Sequence, residues 1–402
     1  MTRAPEQMGS TRPLGFLDEA LDQMRSEGLY RRLRVLEGEQ KPHARFDGRD
    51  VVNLSSNNYL GLTTHPKLRE AAIRAVKELG AGSGSVRTIA GTMDIHMELE
   101  RKIAAFKKTE SAVVFQSGFT ANAGTVSSIL GKDDLILSDE LNHASIIDGA
   151  RLSRATIKVF PHRDTEALRK LLEETTEWKR RLVITDGVFS MDGDIAPLPA
   201  IAALAREHGA IMMVDDAHAS GVLGKNGRGT IDHYGVHGQV DIQVGTLSKA
   251  IGVLGGYVCG SKSLIEYLYH RARPFLFSTS HPPAVAAACM AAFEVLEQEP
   301  ERIERLWSNT KRFKAGLKRL GFNTGISETP ITPIIVGEAD RAMKLSDLAF
   351  ERGVFAQGIG YPTVAKGKAR LRTIVTATHT EEELDRALEV LGDAAKSLGI
   401  LS

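Results

Sequence analysis

Ile211-Met212-Met213-Val214-Asp215-Asp216-Ala217-His218 runs from four apolar residues directly into two carboxylates and an imidazole. A continuous apolar run of this length is typical of a strand buried on both faces, as in parallel sheets covered by helices. Such sheets bind ligands at the carboxyl ends of their strands. The stretch therefore predicts an α/β fold with Asp215 on the ligand side, although an aspartate that caps the next turn fits this feature alone equally well.

Similar runs recur along the chain and alternate with helical stretches. We expect strands at residues 112–115, 134–137, 157–160, 182–185 and 242–244, and helices at residues 65–79, 97–106, 165–173 and 198–208. This alternation predicts a mainly parallel central sheet flanked by helices.

The C-terminal third of the chain has a different order of predicted helices and strands. A helical stretch at residues 284–320 is followed by strands at 332–336 and 369–376 and helices at 342–351 and 381–398. These patterns predict a smaller C-terminal α+β domain. We therefore predict three parts: an N-terminal tail and helix/strand arm at residues 1–55, a large domain at residues 56–290 and a small domain at residues 291–402. Within the first part, we expect residues 1–13 to be mobile.

The composition excludes several classes of function. The 51 basic and 50 acidic residues nearly cancel, so nothing indicates a nucleic-acid or anionic membrane partner. The longest small, apolar run, at residues 284–293, is far shorter than the roughly 20 residues that span a bilayer. Two cysteines are too few for a disulfide framework, and His233 and His237 lie in a Gly-containing segment without a catalytic Glu. We expect a soluble, cytoplasmic protein without a metal.

Lys249 follows the last strand-like run of the predicted sheet, in Val244-Gly245-Thr246-Leu247-Ser248-Lys249-Ala250. The hydroxyls of Thr246 and Ser248 and the Gly-rich apolar run at residues 251–257 suit a lysine that carries a cofactor as a Schiff base. A carboxylate such as Asp215 would keep a pyridine nitrogen protonated, and a protonated ring is the electron sink that stabilises a carbanion. Lys249 and Asp215 together predict a pyridine cofactor bound as an imine.

Two more strand ends carry candidate ligands. Ser117 and Gly118 open a predicted helix after residues 112–115, and backbone amides at a helix start bind phosphate. His143 follows residues 134–137, where its imidazole could stack on an aromatic cofactor. An ordinary strand-helix turn and a capping histidine are the structural alternatives for each feature alone. Because all these residues fall at the carboxyl ends of one predicted sheet, a shared site is favoured.

Several stretches closely resemble the α-oxoamine synthases, a branch of the fold type I pyridoxal phosphate enzymes. They are Ser56-Asn57-Asn58-Tyr59-Leu60-Gly61, Asn142-His143-Ala144-Ser145, residues 185–193, 214–218 and 246–249, and Ala369-Arg370-Leu371-Arg372. The match runs from about residue 27 to the C-terminus. The resemblance implies a fold type I transferase with pyridoxal 5'-phosphate in its large domain, and a homodimer whose subunits share their active sites.

The resemblance also implies roles around the cofactor ring, carried over by matching position. Lys249 would be the Schiff-base lysine and the catalytic base, Asp215 would pair with the pyridine nitrogen, His218 would contact the ring hydroxyl and His143 would stack on the ring. The other residues implied to bind the cofactor are Ser117, Gly118, Phe119, Ser190, Thr246 and, towards the neighbouring subunit's cofactor, Ser278 and Thr279.

The family implies that Arg370 binds the carboxylate of an amino acid substrate, assisted by Asn57 and Ser190, and Thr363 matches a substrate-contact position. A planar guanidinium holds a carboxylate through two hydrogen bonds and so selects which Cα bond breaks. The resulting carbanion would attack an acyl-CoA and release free CoA.

Two branches of the family compete for the specific reaction. Residues 85–92 resemble the branch that joins glycine to acetyl-CoA, glycine C-acetyltransferase or 2-amino-3-ketobutyrate CoA ligase. Ser117-Gly118-Phe119 and Phe277-Ser278-Thr279-Ser280 resemble 8-amino-7-oxononanoate synthase, which condenses alanine with a pimeloyl thioester and loses carbon dioxide. We predict the glycine reaction, with room for longer acyl chains. The alanine reaction is the alternative, and aminotransfer on the same fold is the alternative class.

Overall fold

The computed structural model describes residues 12–27, 30 and 32–401. Most of the predicted mobile tail therefore lies outside the described residues. The described residues form fourteen strands: β1 (Leu36–Glu37), β2 (His43–Phe46), β3 (Arg49–Asn53), β4 (Ser111–Phe115), β5 (Leu135–Asp139), β6 (Thr156–Phe160), β7 (Arg181–Asp186), β8 (Ile211–Asp215), β9 (Ile242–Thr246), β10 (Gly256–Gly260), β11 (Ile331–Gly337), β12 (Val354–Phe355), β13 (Gln357–Ile359) and β14 (Ala369–Ile374).

The same residues form fourteen α-helices: α1 (Phe16–Ser26), α2 (Pro66–Leu79), α3 (Asp94–Lys107), α4 (Gly118–Ile129), α5 (Ala144–Ser153), α6 (Thr165–Glu173), α7 (Leu198–Glu207), α8 (Thr230–Tyr234), α9 (Lys262–Arg271), α10 (Arg273–Leu276), α11 (Pro283–Gln298), α12 (Glu301–Arg319), α13 (Ala339–Glu351) and α14 (Glu381–Ser397). Within the described parts of the chain, no helix combines the length and hydropathy that a membrane span requires.

Seven strands form the central sheet, in the order β4-β10-β9-β8-β7-β5-β6. Neighbouring strands from β9 to β6 pair in parallel, whereas β10 pairs antiparallel with both β4 and β9. The carboxyl ends of β4, β5, β7, β8 and β9 therefore meet at one edge of the sheet. The predicted fold, a mainly parallel sheet flanked by helices with a smaller C-terminal part, is confirmed.

Strand β10 is the one central strand that the sequence patterns did not predict. Two of its five residues are glycine, which weakens the strand signal. The structure nevertheless needs a glycine at position 256, because a Cβ there would lie 2.4 Å from the Ser117 carbonyl oxygen and 2.5 Å from the Gly118 nitrogen. Gly256 thus allows β10 to pass directly beneath the turn that opens α4.

Helices cover both faces of the central sheet. On β4, Val114 belongs to the core that includes side chains of α2, α3 and α11, whereas Val113 belongs to the core that includes α4, α5 and α9. Successive side chains of a strand point to opposite faces, so both faces must be apolar when both are covered. This is why the central strands are continuous apolar runs in the sequence.

The other strands form two smaller sheets, β11-β14-β13 and β1-β2-β3-β12. Strand β12 pairs in parallel with β3, so the N-terminal arm and the C-terminal part of the chain share one sheet. The single helical stretch predicted at residues 284–320 is in fact two helices, α11 and α12. Pro300 disfavours a helical conformation of the residue before it, and Glu299 accordingly has φ −125° and ψ 58°.

His162 ties β5 to the loop at residues 187–196, near the carboxyl edge of the central sheet. Its Nδ1 lies 2.9 Å from Asp139 Oδ1 and its Nε2 lies 2.8 Å from Asp194 Oδ2. The ring also packs edge-on against Phe189, with the centroids 4.3 Å apart. Burial lowers the pKa of His162, but the hydrogen bonds to the two aspartates outweigh it and raise the pKa to about 9. A protonated imidazole therefore holds the two segments together.

We expect replacement of His162 by Gln to destabilise the protein in a pH-dependent way. Because the folded-state pKa of about 9 exceeds the ordinary value of 6.5, the stabilisation from His162 is complete below about pH 6.5 and is lost as the pH rises through about 9. Chemical denaturation of the wild type and His162→Gln should show a difference in unfolding free energy that shrinks across this range. A difference that stays constant with pH would contradict a charged His162.

Candidate active site

Lys249 lies three residues beyond the end of β9, facing the carboxyl edge of the central sheet. Burial lowers the pKa of Lys249 to about 8; the charge of Asp215 opposes this shift and the charge of Arg372 adds to it. Near neutral pH, a lysine with this pKa is neutral in a far larger fraction of molecules than an ordinary lysine. The amine can therefore act as a nucleophile towards an aldehyde and, once released, as a base.

Asp215 ends strand β8 and is buried. Its Oδ2 accepts a 2.6 Å hydrogen bond from Asn122 Nδ2, and its Oδ1 accepts a 2.8 Å hydrogen bond from the Ala217 amide. No cation among the described residues forms a salt bridge with it. A buried carboxylate that is hydrogen-bonded but lacks a countercharge is suited to a cationic ligand, such as a protonated ring nitrogen.

Asp186 is a second buried carboxyl group at the same edge, and it stands opposite Asp215 in the register of β7 and β8. Its Oδ2 accepts a 2.7 Å hydrogen bond from the His143 amide. Burial, followed by the charge of Asp215, raises the pKa of Asp186 well above its ordinary value. Asp186 therefore holds its proton more tightly than a free carboxyl group does. Asp186 lies in the stretch at residues 185–193 that resembles the family, but no role was predicted for it.

His218 is buried one turn after Asp215, and its Nδ1 lies 2.8 Å from the hydroxyl oxygen of Tyr59. Burial lowers the pKa of His218 well below its ordinary value, and the charges of Lys249 and Arg372 act in the same direction. The imidazole is therefore neutral, with one nitrogen occupied by Tyr59 and Nε2 left for a ligand hydroxyl. Tyr59 lies in the stretch at residues 56–61 that resembles the family, but its contact with His218 was not predicted.

The turn between β4 and α4 has the donors of a phosphate site. Ser117 caps α4 by accepting a 3.1 Å hydrogen bond from the Thr120 amide. The amides of Gly118 and Phe119 are in the first turn of the helix, where backbone donors lack helical acceptors. Thr246 lies against this turn, but its hydroxyl donates to the Gly255 carbonyl at 2.9 Å. The backbone amides are thus the donors that this turn offers to a phosphate.

Ser278 and Thr279 lie in the loop after α10, beside the strongly exposed Phe277. Within the described chain, neither hydroxyl forms a hydrogen bond, although the Thr279 carbonyl accepts one from Gln116 Nε2 at 2.7 Å. Thr363 is exposed in another loop, where its amide donates to the Gly360 carbonyl at 3.0 Å. Among the described residues, no hydrogen bond joins these three side chains to Lys249 or Asp215.

The two arginines of β14 have different surroundings. Arg370 was predicted to be the carboxylate-binding residue, but its Nη1 lies 2.6 Å from Asp192 Oδ1, so its charge is already neutralised. Arg372 instead donates from Nε to the Ser190 carbonyl at 2.6 Å and from Nη2 to Asn57 Oδ1 at 3.3 Å. The structure therefore places Arg372 with Asn57 and Ser190, where Arg370 was expected.

A cavity of about 280 Å³ opens beside Arg372. Its lining combines apolar and uncharged polar side chains with the guanidinium of Arg372, and includes residues of β2, β3, β12, β13 and β14. The lining residues are Gln40, Phe46, Asn53, Ser55, Ser56, Met191, Phe355, Gln357, Ile359 and Arg372. The cavity therefore lies among the two smaller sheets and the loop that follows β7, which contributes Met191.

Known proteins share this sequence and architecture. The model of the aminotransferase class I and II family matches residues 49–391. A relative from Symbiobacterium thermophilum, named 8-amino-7-oxononanoate synthase, is 61% identical over 96% of this chain and 99% of its own. A relative from Bacillus subtilis, named 8-amino-7-oxononanoate synthase 1, is 59% identical over 97% of this chain and 100% of its own.

Two solved structures extend the comparison. Serine palmitoyltransferase from S. paucimobilis, with a bound PLP-myriocin aldimine, superposes with a TM-score of 0.92 at 32% identity, covering 96% of this chain and 98% of its own. An 8-amino-7-oxononanoate synthase from Francisella tularensis superposes with a TM-score of 0.75 at 29% identity, covering 86% of this chain and 98% of its own. The chain belongs to the α-oxoamine synthases. The relatives do not support the predicted glycine C-acetyltransferase and instead carry the name of the predicted alternative.

This α-oxoamine synthase is a pyridoxal phosphate-dependent acyltransferase, and its residues fit the cofactor. Lys249 supplies an amine of lowered pKa, Asp215 an uncompensated buried charge, His218 a neutral imidazole and Gly118 the start of a phosphate-binding turn. When bound, the cofactor supplies the electron sink that stabilises negative charge at the substrate Cα. In such a complex Asp215 would hold the ring nitrogen, and Lys249 would act as the proton acceptor at the reacting carbon.

We expect Lys249→Ala to remove the borohydride-reducible visible absorbance of the purified synthase while leaving it folded, because the substitution removes the buried amine of lowered pKa beside Asp215. Absorbance before and after borohydride, with circular dichroism, would measure both effects. Lys262→Ala, at an exposed position on α9, is the control and should retain the absorbance. Normal turnover by Lys249→Ala would refute the assignment.

Proposed function

We propose that this synthase condenses L-alanine with a pimeloyl thioester and releases carbon dioxide and the free thiol, as an 8-amino-7-oxononanoate synthase. The observation that carries the proposal is the shared name of relatives that are 54–61% identical over nearly their full length. The alanine reaction was the sequence-based alternative.

Arg372 is the residue that we propose for binding the amino acid carboxylate. Its guanidinium is partly buried and makes no salt bridge among the described residues, in contrast to Arg370. Burial lowers the pKa of Arg372 from its ordinary high value, which leaves the group cationic. Ser190 and Asn57 hold two of its nitrogens, so Nη1 stays available to a carboxylate. That arrangement would fix the Cα of alanine relative to Lys249.

The cavity beside Arg372 supports a long acyl chain rather than an acetyl group. Phe46, Phe355 and Ile359 give it an apolar wall that suits methylene groups, while amide side chains give it polar positions. Asn53 donates to Gln40 Oε1 at 2.7 Å, which directs the Gln40 amide nitrogen away from Asn53. An acyl chain with a polar far end would therefore match this lining, with its methylene groups at the apolar wall and its polar end at the amide side chains.

The homodimer with shared sites is also part of the proposal. Phe277, which is 69% exposed, precedes Ser278 and Thr279, whose hydroxyls form no hydrogen bond among the described residues. Ile89 is 82% exposed, and Val86, three residues before it, bridges to Thr279. Exposed apolar side chains that together form a patch mark protein interfaces. A second copy of the chain would cover them and bring Ser278 and Thr279 to the partner's phosphate.

We expect Arg372→Met to raise the KM for L-alanine by about tenfold to a hundredfold, because hydrogen bonds to charged groups contribute about 1.5–3 kcal/mol. Arg370→Met is the matched control on the same strand and should change this KM by much less, since its partner is Asp192. Steady-state kinetics at saturating thioester would measure both values. A larger increase in this KM in Arg370→Met than in Arg372→Met would show that Arg370, and not Arg372, binds the substrate carboxylate.

We expect L-alanine with pimeloyl-CoA to be turned over with a higher kcat/KM than any other pair from a panel of alanine, glycine and serine with acetyl-, pimeloyl- and longer acyl-CoA. Release of free CoA would measure the rate, and mass spectrometry would identify the product. CoA release also separates acyl transfer from aminotransfer. A preference for glycine with acetyl-CoA would overturn the proposed substrates.

A further inference from the structure

Four polar side chains form a continuous hydrogen-bonded chain from Asp215 to His143. Asn122 Nδ2 donates to Asp215 Oδ2 at 2.6 Å and to Ser145 Oγ at 2.9 Å. Ser145 Oγ lies 2.7 Å from His143 Nδ1. Asn122, Ser145 and Asp215 are buried, whereas His143 is exposed at the site. The chain thus joins the buried carboxylate to an imidazole that a ligand can reach.

The chemistry of the groups determines the direction of every bond in this chain. The Asn122 amide nitrogen must face Asp215, because the opposite orientation would set a carbonyl oxygen against a carboxylate. The Ser145 backbone amide donates to His143 Nδ1 at 3.2 Å, so Nδ1 is unprotonated. The Ser145 hydroxyl must then donate to Nδ1 as well. His143 is left neutral, with its proton on Nε2.

The orientation of Asn122 is maintained although it leaves a polar atom unpaired. Among the described residues, Asn122 Oδ1 is buried without a hydrogen-bond partner. Buried polar atoms without partners are rare because each costs its desolvation energy. The two hydrogen bonds that the Asn122 amide nitrogen donates, to Asp215 and to Ser145, therefore fix the orientation of the amide.

We propose that Asn122 and Ser145 are positioning residues that couple the charge on Asp215 to the orientation and tautomer of His143. Asn122 holds one carboxylate oxygen so that the other faces the ring nitrogen, and Ser145 fixes the imidazole plane through Nδ1. The inference rests on the proposed placement of the cofactor ring between Asp215 and His143. Neither residue touches the cofactor in this arrangement, so both act through their neighbours.

The test uses the holoenzymes of Asn122→Leu, Ser145→Ala and the double variant, with Asp215→Asn as the reference. The matched control is Thr125→Val on the same helix, which removes a buried hydroxyl that has no hydrogen-bond partner among the described residues. The measurements are the pH midpoint of the cofactor's visible absorbance, the apparent Kd for pyridoxal phosphate, and kcat and KM for the amino acid.

We expect Asn122→Leu to shift the absorbance midpoint in the same direction as Asp215→Asn and to raise the apparent Kd about tenfold or more, the usual effect of losing a hydrogen bond to a charged group. Ser145→Ala should give a smaller shift in the same direction. In both variants kcat should fall more than KM rises. The double variant should show less than the sum of the single shifts, because both side chains act in one network.

Midpoints in both single variants that equal that of Thr125→Val, while Asp215→Asn is shifted, would overturn the coupling and leave the cofactor placement intact. An unshifted Asp215→Asn would instead overturn the placement itself, and the coupling with it. If Asn122→Leu does not fold, Ser145→Ala decides alone: a shifted midpoint supports the coupling, and an unshifted one refutes it.

Discussion

Two carboxyl groups, Asp186 and Asp215, stand side by side at the buried ends of β7 and β8, and the rest of the site is arranged around this pair. Two neighbouring negative charges in a buried position repel strongly, so each disfavours ionisation of the other. Burial and the charge of Asp215 raise the pKa of Asp186 well above its ordinary value, whereas the amide of Asn122 donates a hydrogen bond to Asp215. The two neighbouring carboxyl groups therefore differ in their surroundings, and we propose Asp215 as the partner of a cofactor's ring nitrogen.

A third carboxylate at this position has a different task. Asp216 follows Asp215 directly, but its side chain forms a fully buried ion pair with Lys107, at 2.9 Å. Asp216 also accepts a hydrogen bond from the Thr230 amide. It therefore joins β8 to α3 and to the start of α8. Because its charge is neutralised within the fold, Asp216 does not compete with Asp215 for a cationic ligand.

The sequence predicted the central strands other than β10, and the edge at which their carboxyl ends meet, because both faces of the sheet impose a continuous apolar pattern. Contacts between distant segments were not predictable in the same way. Arg370 and Arg372 lie on the same face of β14, and only the fold shows that Asp192 neutralises the first. Asn122 likewise is an ordinary polar residue of α4 until folding brings it to Asp215.

Substrate choice was the least predictable property, since the cavity is assembled from segments far apart in the sequence. The glycine prediction depended on residues 85–92, but none of them lines the cavity beside Arg372. Within that stretch, Arg87 forms a buried ion pair with Glu100 at 2.8 Å. Ile89 is among the most exposed apolar residues of the described chain. The side chains of residues 85–92 therefore contribute to packing and to an exposed surface, and not to the lining of this cavity. In the proposed function, acyl-chain preference would depend instead on side chains such as Phe46 and Phe355. These two rings pack against each other across strands that the pairing of β12 with β3 brings together.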